Sequence, residues 1–262
     1  MYKNYEFNDL RLIKIITRLD FQSRYSGTIG GYLWAVLHPL ITTTVFYFVF
    51  AIGLRVAGPP GTPFIAWFIG GLVPWFFFNE GVLRGVNAVT SSGHLIKKLK
   101  FPIYILPITS VLSTLVVNSF FWVLLGVLLI YLGIEMQISK ILFVNYVLAE
   151  FIFILAIVYF LSALSVFIKD VKDITAVLTN LLFWSTPIVW DEAVIPDKYR
   201  FILDYNPMYY FVKGTRDTLI YNDMRFAHEL SQHAIFYGVF IILLFLSFRF
   251  YFVMKDEFAQ NL

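Results

Sequence analysis

The chain contains the uncharged stretch FPIYILPITSVLSTLVVNSFFWVLLGVLLIYLGI, residues 101–134. A helix needs about 20 predominantly apolar residues to cross the hydrocarbon core of a bilayer, and this stretch is longer than that. The surplus length predicts a helix that is tilted, or that kinks at Pro102 or Pro107. The stretch therefore predicts a membrane-spanning helix and places the chain among membrane proteins.

The composition of the whole chain agrees with this placement. Of its 262 residues, 59% are hydrophobic and 14% are charged, whereas soluble domains have about 25% charged residues. The chain has no cysteine, which excludes disulfides and thiolate metal sites. Its net charge of +3 is too small to indicate a nucleic-acid partner.

Apolar stretches on either side of residues 101–134 complete the predicted topology. We predict one all-α membrane domain over residues 1–262, with six spans at 33–54, 64–90, 101–134, 141–168, 174–189 and 234–254. If the N-terminus is inside, the inner segments hold twelve lysines and arginines and the short outer loops hold two. Because positive charge is retained on the cytoplasmic side, both termini are predicted to be cytoplasmic.

An amphipathic helix is predicted before the first span, over residues 8–24. Asn8 or Asp9 can cap it. Arg11, Lys14 and Arg18 share one face, and the opposite face carries the apolar residues Leu12, Ile13, Ile15, Ile16 and Leu19. Such a helix lies along the inner leaflet. From the residues alone, it is either a simple interfacial anchor or a part with a specific role at the membrane boundary.

The segment at 190–233 does not fit the spanning pattern. Its apolar pieces are too short and too charged to cross a bilayer. A proline restricts the residue before it, so Asn206-Pro207 predicts a turn between two short helices. We predict a re-entrant pair in the outer leaflet, with a small cap outside the membrane as the alternative.

The charged residues Glu80, Arg84 and Glu150 lie within predicted spans. Glu80 and Arg84 are four residues apart and can pair across one helical turn. Intramembrane charges usually face a bundle interior or a water-filled path, so a structural role and a pore-lining role both stay open for this pair. Glu150 is alone in its span, and it either reaches toward the interface or meets another chain.

Several motifs, taken in order, resemble those of one family. They are Arg18-x-Asp20, Arg24-Tyr25, Ile29-Gly30, Trp34 and Pro39 near the start, PWFFF at 74–78, FIKDVKDI at 167–174, TPIVW at 186–190 and YNPMYY at 205–210. This series resembles the ABC-2 type permeases that export bacterial polysaccharides, a family that includes O-antigen, capsule and teichoic acid exporters. Lys169 departs from the usual arginine and loses its fork geometry.

The resemblance implies a transport permease subunit rather than an enzyme. It implies a homodimer in the cytoplasmic (inner) membrane with two ATPase subunits, which bind ATP and magnesium, and a lipid-linked polysaccharide as substrate alongside membrane lipid. The chain lacks a GxxxxGK[ST] phosphate-binding loop, so ATP must bind another polypeptide, and no cofactor is expected on this one. HELSQH at 228–233 spaces its histidines five apart, one more than the HExxH zinc motif, so no metal site is predicted.

The resemblance also assigns roles to residues. It makes the amphipathic helix a gate at the cytoplasmic mouth, where substrate enters near Arg18, Asp20, Arg24, Tyr25 and Trp34. It makes residues 90–102 the region that contacts the ATPase, with His94, Lys97, Lys98 and Lys100 as the contact residues. Without the resemblance, these lysines are an ordinary positive-inside flank.

Clustered aromatic residues on the second span are predicted to line the conduit. Sugar rings present apolar C–H faces that stack on aromatic planes, so Trp75, Phe76, Phe77 and Phe78 suit a polysaccharide path. Core packing is the competing interpretation of this cluster.

Other functions remain open at this stage. The nearest is an ABC-2 permease for a small lipid or drug, and more distant ones are a membrane glycosyltransferase or acyltransferase and a secondary transporter. The sequence does not distinguish O-antigen from capsule or teichoic acid as the exported glycan.

Overall fold

The protein is helical throughout its described part. A computed structural model describes residues 9–27, 29–56, 58–93, 96, 102–135, 141–221 and 230–262, and every regular element in these ranges is a helix. The all-α prediction is therefore confirmed.

Ten α-helices follow one another along these ranges. They are α1 (Asp9–Tyr25), α2 (Leu33–Tyr47), α3 (Phe64–Gly85), α4 (Ile105–Tyr131), α5 (Phe143–Phe167), α6 (Val171–Ser185), α7 (Phe201–Asp204), α8 (Pro207–Leu219), α9 (Leu230–Met254) and α10 (Phe258–Asn261). A π-helical segment, Phe48–Gly53, continues α2. Short 3₁₀ turns lie at Thr90–Ser92, Glu192–Val194, Asp197–Tyr199 and Lys255–Glu257.

Within the described ranges, five helical segments are long and apolar enough to cross a membrane. They are Leu33–Gly53, α3, α4, α5 and His233–Asn261. The predicted span at 174–189 corresponds to α6, which has 15 residues and is about 22 Å long at 1.5 Å per residue, short of the ~30 Å hydrocarbon core. The predicted count of six spans therefore remains a prediction.

Two predicted spans are shorter in the structure. Helix α3 ends at Gly85 rather than at 90, and turns lead from it into Thr90–Ser92. Helix α4 begins at Ile105, so Pro102 precedes it and Pro107 lies in its first turn. The first-turn amides of a helix have no intrahelical partner, so Pro107 interrupts no hydrogen bond of the helix.

Helix α3 is the centre of the bundle. In the most apolar 18 residues of α3, 72% of the residues are buried. The corresponding share is 6% in Leu33–Gly53 and 11% in His233–Asn261. It packs against α4, α5 and α8. A Cβ at Gly85 would fall on the Val158 side chain of α5, so this glycine allows α3 and α5 to approach closely.

The bundle has two ends, which its hydrogen bonds identify. At the end that we call the α1 end, Tyr159 of α5 donates to the carbonyl of Tyr104, and Tyr251 of α9 donates to the carbonyl of Ile103, both at 2.9 Å. At the opposite end, which we call the far end, Arg216 of α8 meets carbonyls near the start of α3 and beyond the end of α6.

The far end contains the turn predicted at Asn206-Pro207. Asn206 Oδ1 accepts from the backbone N–H of Met208 at 2.9 Å and caps α8, and Pro207 is the first residue of that helix. The Asn206 amide nitrogen also donates to Thr186 Oγ1 at 2.9 Å, which ties α8 to the end of α6. Most of α8 is buried, against α3 and α5. Whether this segment re-enters the membrane stays a prediction.

Helix α1 divides its apolar residues between two sides. Arg11, Lys14 and Arg18 are exposed, as the sequence predicts. Leu12, Ile13 and Ile16 are half-buried, while Ile15 and Leu19 are 46% and 57% exposed. Part of the predicted apolar face therefore packs on the protein, while Ile15 and Leu19 are left open, as on a helix that lies along the inner leaflet. Whether α1 lies along that leaflet stays a prediction.

Candidate functional site

A cleft of about 750 Å³ lies among α1, α2, α3, α4 and α6. Its walls combine aromatic rings, amides and charged groups. They include Arg24, Trp34, His38, Thr42, Phe46, Trp75, Phe76, Asn79, Glu80, Arg84, Asn118, Phe121, Thr179, Asn180 and Phe183. We call it the central cleft.

Arg24 is the most enclosed charge of the central cleft, with its side chain 4% exposed. It lies one turn after Asp20 on α1, which places both side chains on one face. Its guanidinium binds the Asp20 carboxylate at 2.7 Å, the Ser110 carbonyl at 3.2 Å and Thr114 Oγ1 at 3.2 Å. It also binds Ser113 Oγ, which in turn donates to Asp20. These bonds attach the C-terminal part of α1 to α4.

The intramembrane pair predicted on α3 joins this cluster. Arg24 Nη1 lies 3.7 Å from Glu80 Oε1, and Arg84 Nε donates to the same oxygen at 2.6 Å. Asp20, Arg24, Glu80 and Arg84 therefore form a chain of alternating charge across α1 and α3. Glu80 is 30% exposed and Arg84 is 42% exposed, so solvent weakens the outer pair. The sequence predicted the pair of Glu80 and Arg84, and the structure joins that pair to Asp20 and Arg24.

The aromatic cluster at 75–78 divides between the cleft and the core. Trp75 and Phe76 line the central cleft. Phe77 is fully buried, and Phe78 packs in the core against Phe153 with ring centroids 5.9 Å apart. Successive helical residues point about 100° apart, so four consecutive rings cannot all face one cleft. The structure does not place Phe77 and Phe78 with the other predicted conduit residues.

Two further rings extend the aromatic wall of the central cleft. Phe183 of α6 lies 5.2 Å from the Trp75 ring and 5.7 Å from the Phe46 ring, measured between centroids. Trp34 is 49% exposed and lies at the rim. A Cβ at Gly30 would come within 2.6 Å of Trp34 Nε1, so the bend before α2 must be glycine for this indole to fold back over it.

The other predicted site residues are two gate residues of α1 and the two residues of the outer turn. Arg18 is exposed on α1 and does not line the central cleft. Tyr25 is the last residue of α1. Asn206 and Pro207 lie at the far end, where they start α8.

The sequence analysis missed several polar residues of the central cleft. Asn79, Asn118 and Asn180 come from three different helices and all line it. Asn118 donates to the Val73 carbonyl at 3.3 Å, while its buried Oδ1 has no hydrogen-bond partner among the residues that the structure describes. An amide inside an uncharged membrane span is the signal that could have found Asn118, because such groups need a partner or a cavity.

The predicted ATPase-contact residues His94, Lys97, Lys98 and Lys100 lie outside the described residues. The segments on either side of them are anchored. Gly93 packs against Leu262, and Tyr104 donates a 2.6 Å hydrogen bond to Asp9 in the first turn of α1. This bond to the carboxylate, together with burial, raises the pKa of Tyr104 above its usual value. The segment after residues 97–101 is thereby joined directly to α1.

Arg216 at the far end is another residue that was not predicted from the sequence. It is 6% exposed, and its guanidinium donates to the carbonyls of Trp67, Pro187 and Ile188 at 3.0, 2.7 and 3.0 Å. It also lies over the Trp67 ring, 3.9 Å from the centroid, a favourable cation–π position. One side chain thus connects α3, α8 and the segment after α6.

Glu150 is buried in α5, with 1% of the residue exposed. Its Oε1 has no hydrogen-bond partner, and no ion pair reaches it within the described ranges. The side chain is therefore enclosed by its own chain, which is neither of the two arrangements that the sequence left open for it.

Comparison with known proteins adds a family match over residues 11–220, to the family described as ABC-2 type transporter. Two proteins of Klebsiella pneumoniae are 27% and 26% identical over 255 and 253 residues, which is 96% of this chain and 95% of each relative. A protein of Myxococcus xanthus is 29% identical over 264 residues, which is 98% of this chain and 97% of the relative. All three are named O-antigen export system permease protein RfbA.

Proposed function

Because this chain belongs to the ABC-2 type transporter family and is a membrane subunit of a transporter, we propose that it exports a lipid-linked polysaccharide across the cytoplasmic membrane. O-antigen is the proposed glycan, since three relatives that match nearly the whole chain carry that name. Capsular polysaccharide and teichoic acid are the alternatives.

The composition of the central cleft is the observation that carries this proposal. Trp34, Trp75 and Phe76 stand beside Asn79, Asn118 and Asn180 in one cavity. Aromatic faces stack on the C–H faces of sugar rings, and amides both donate to and accept from hydroxyl groups. The aromatic groups tolerate movement along a repeating polymer, because stacking needs no fixed set of hydrogen bonds.

The charge chain from Asp20 to Arg84 serves as the gate in this proposal. It attaches α1 to α3 and α4 on one side of the central cleft. Moving α1 would have to separate Arg24 from its oxygen partners, so the gate stays shut until another part of the protein drives it. Phosphate groups of a lipid-linked substrate would compete for Arg24 and Arg84.

A second copy of the chain completes the conduit in this proposal. Helix α2, on one side of the central cleft, is mostly exposed, with Leu37, Ile41 and Val45 all more than a third accessible. Helix α6 likewise exposes Val177, Leu181 and Trp184. Homodimer formation would cover part of these faces and close the cleft into a path.

Two ATPase subunits drive the gate in this proposal, through contacts at residues 90–102. The bond between Tyr104 and Asp9 supports such a linkage, because it joins the end of that segment to the start of α1. The termini are proposed to be cytoplasmic. Asp9 and Leu262 both lie at the α1 end, where they contact Tyr104 and Gly93, and this agrees with the distribution of lysine and arginine.

The experiment that tests the function compares Phe76→Ala with Phe245→Ala in a strain lacking the gene. Phe76 lines the central cleft, whereas Phe245 is exposed on α9 and does not. Surface glycan and lipid-linked glycan retained at the inner membrane are both measured. Phe76→Ala should reduce surface glycan and increase the retained pool, and Phe245→Ala should leave both unchanged.

The deletion strain itself distinguishes the function classes. Lipid-linked glycan that is made but retained inside supports an exporter. An early arrest of glycan synthesis, with everything that is made still reaching the surface, would instead indicate a membrane enzyme.

A further inference from the structure

A second cleft, of about 780 Å³, lies at the far end between α8 and α9 and is separate from the central cleft. We infer that this second cleft binds one phospholipid whose head group carries a primary ammonium, such as phosphatidylethanolamine. The inference rests on the membrane placement of α9 and not on the identity of the exported cargo.

The apolar part of the second cleft is a stripe along α9. Ile235, Phe236, Val239, Phe240 and Leu243 line it, a spacing that places all five on one face of a helix. The stripe is about 12 Å long at 1.5 Å per residue, and it runs along a helix that can span the membrane. An acyl chain lying along α9 would follow it.

The stripe is open to the surrounding lipid. Ile235, Val239 and Leu243 are 65%, 47% and 40% exposed, and Phe240 closes the floor of the cleft against Phe153 at 4.8 Å between ring centroids. A chain can therefore enter sideways from the bilayer. The three exposed residues of this wall are aliphatic, so they offer more contact to an acyl chain than to a sugar ring.

The polar part of the second cleft carries charges of both signs. Glu192, Arg200, Asp204, Lys213 and Asp217 all line it. They surround Tyr209, whose hydroxyl donates to Glu192 and whose ring has the Lys213 ammonium 5.6 Å from its centroid. Burial and then the Glu192 carboxylate raise the pKa of Tyr209 well above its usual value, so the phenol stays protonated.

This arrangement matches a zwitterionic head group in which phosphate and ammonium are neighbours. Arg200 and Lys213 suit the phosphate, and the carboxylates of Glu192 and Asp204 suit the ammonium. An anionic phospholipid would bring negative charge to a cleft whose carboxylates outnumber its cations. A choline head group lacks the N–H donors that carboxylates accept.

The test uses delipidated protein with three defined lipids that share acyl chains, namely phosphatidylethanolamine, phosphatidylglycerol and phosphatidylcholine. Native mass spectrometry counts the lipids retained, and the thermal midpoint is followed during lipid titration. We expect one phosphatidylethanolamine to be retained preferentially. Lys213→Gln should weaken its retention about tenfold, as the loss of one charge-assisted hydrogen bond predicts. Lys198→Gln is the matched control, since Lys198 is near in sequence but does not line the cleft.

Two further variants test the role of the apolar stripe. Val239→Trp fills the groove and should abolish preferential retention. Ile242→Trp makes the same kind of change at a residue of α9 that is 60% exposed and lies outside the cleft, and it should have no effect. Because Val239 and Ile242 are both surface positions, both variants should fold, which size-exclusion chromatography checks.

Three results would overturn the inference. They are equal retention of phosphatidylethanolamine and phosphatidylglycerol, unchanged retention in Lys213→Gln, and unchanged retention in Val239→Trp. Displacement of the lipid by a soluble oligosaccharide would also overturn it and would assign the second cleft to the glycan. None of these results depends on export, so the proposed function is tested separately.

Discussion

Arg24 of α1 and Glu80 of α3 lie 3.7 Å apart, measured between guanidinium nitrogen and carboxylate oxygen. The two residues are 56 positions apart in the chain, and their contact joins two ion pairs that are each local to one helix. Besides its hydrogen bonds to α4, α1 therefore has a charged contact with the central helix of the bundle.

Replacing Arg24 should release α1 from α4. Arg24→Gln removes a nearly buried cation whose hydrogen bonds involve charged groups, and each such bond is worth about 2 kcal/mol. The chain has no cysteine, so spin labels can be placed at Leu10→Cys and Val116→Cys, two exposed positions on α1 and α4. We expect the distance distribution between these labels to broaden in Arg24→Gln.

Arg18→Gln is the matched control, because Arg18 lies on the same helix but is exposed. Its distance distribution should equal that of the parent. An unchanged distribution in Arg24→Gln would show that the charge chain does not hold α1.

Loss of the hydroxyl of Tyr104 should uncouple ATP hydrolysis from export. Tyr104→Phe removes the 2.6 Å bond to Asp9 and keeps the ring. In membranes that hold the complete transporter, we expect ATP turnover to continue while export falls several-fold, and Asp9→Asn should behave similarly. Because the pKa of Tyr104 is raised in the folded protein, its hydroxyl keeps the donated proton at pH values up to about 10, and the bond is lost when the pH rises through that raised value.

Tyr131→Phe provides the comparison, since Tyr131 is 84% exposed at the other end of α4. It should export at the parent rate. Full export by Tyr104→Phe would exclude this bond as a link between residues 90–102 and α1.

A methyl group at position 71 should destabilise the far end. In Gly71→Ala, the new Cβ would lie 3.1 Å from Arg216 Cζ, so the guanidinium must leave some of its three carbonyl partners. Each buried polar group left without a partner costs about 1–3 kcal/mol. We expect the thermal midpoint to fall by several degrees.

Gly126→Ala makes the same change at a position where, in the described part of the chain, the new Cβ would meet no atom within 4 Å beyond its neighbours and the backbone of its own helix. Alanine is favoured over glycine inside a helix by about 0.5–1 kcal/mol, so this variant should be unchanged or slightly more stable. Equal midpoints in the two variants would contradict the role given to Arg216.

Replacing Glu150 should not lower the thermal midpoint, unlike the change at position 71. Its carboxyl is buried without an ion-pair partner in the described part of the chain, and burial of an unpaired charge is costly. Glu150→Gln should therefore leave the thermal midpoint unchanged or raise it, whereas Glu257→Gln, at an exposed position, should have no effect. A clear loss of stability in Glu150→Gln would show that the carboxylate has a cationic partner.

The local parts of the candidate site could be predicted from the sequence, and its assembly could not. The spacing of Asp20 and Arg24, and of Glu80 and Arg84, is enough to predict each pair within its own helix. The contact between the two pairs depends on how α1 packs against α3 and α4. Hydrophobic periodicity does not specify that packing. The same limit applies to residues 75–78, where four aromatic neighbours leave no polar face to orient the helix.

The role of Arg216 could not be predicted from the sequence, for a different reason. A buried arginine is expected to pair with an acidic residue, but the partners of Arg216 are backbone carbonyls. Every residue has a carbonyl, so no pattern of residue types reveals such a site. The end of α6 could not be predicted either. The helix has 15 residues and ends at Ser185, and Thr186 has an extended backbone, but the apolar sequence continues past this point.

The bonds made by Arg216 also set an order of events during synthesis. The carbonyls of Trp67 and Ile188 precede Arg216 by 149 and 28 positions, and chains emerge from the ribosome N-terminus first. Until α8 is made, these acceptors lack the donor that satisfies them in the finished protein. The far end consequently cannot close before α8 is made, and nascent chains that stop before residue 216 should be recognised as unfinished by membrane proteases.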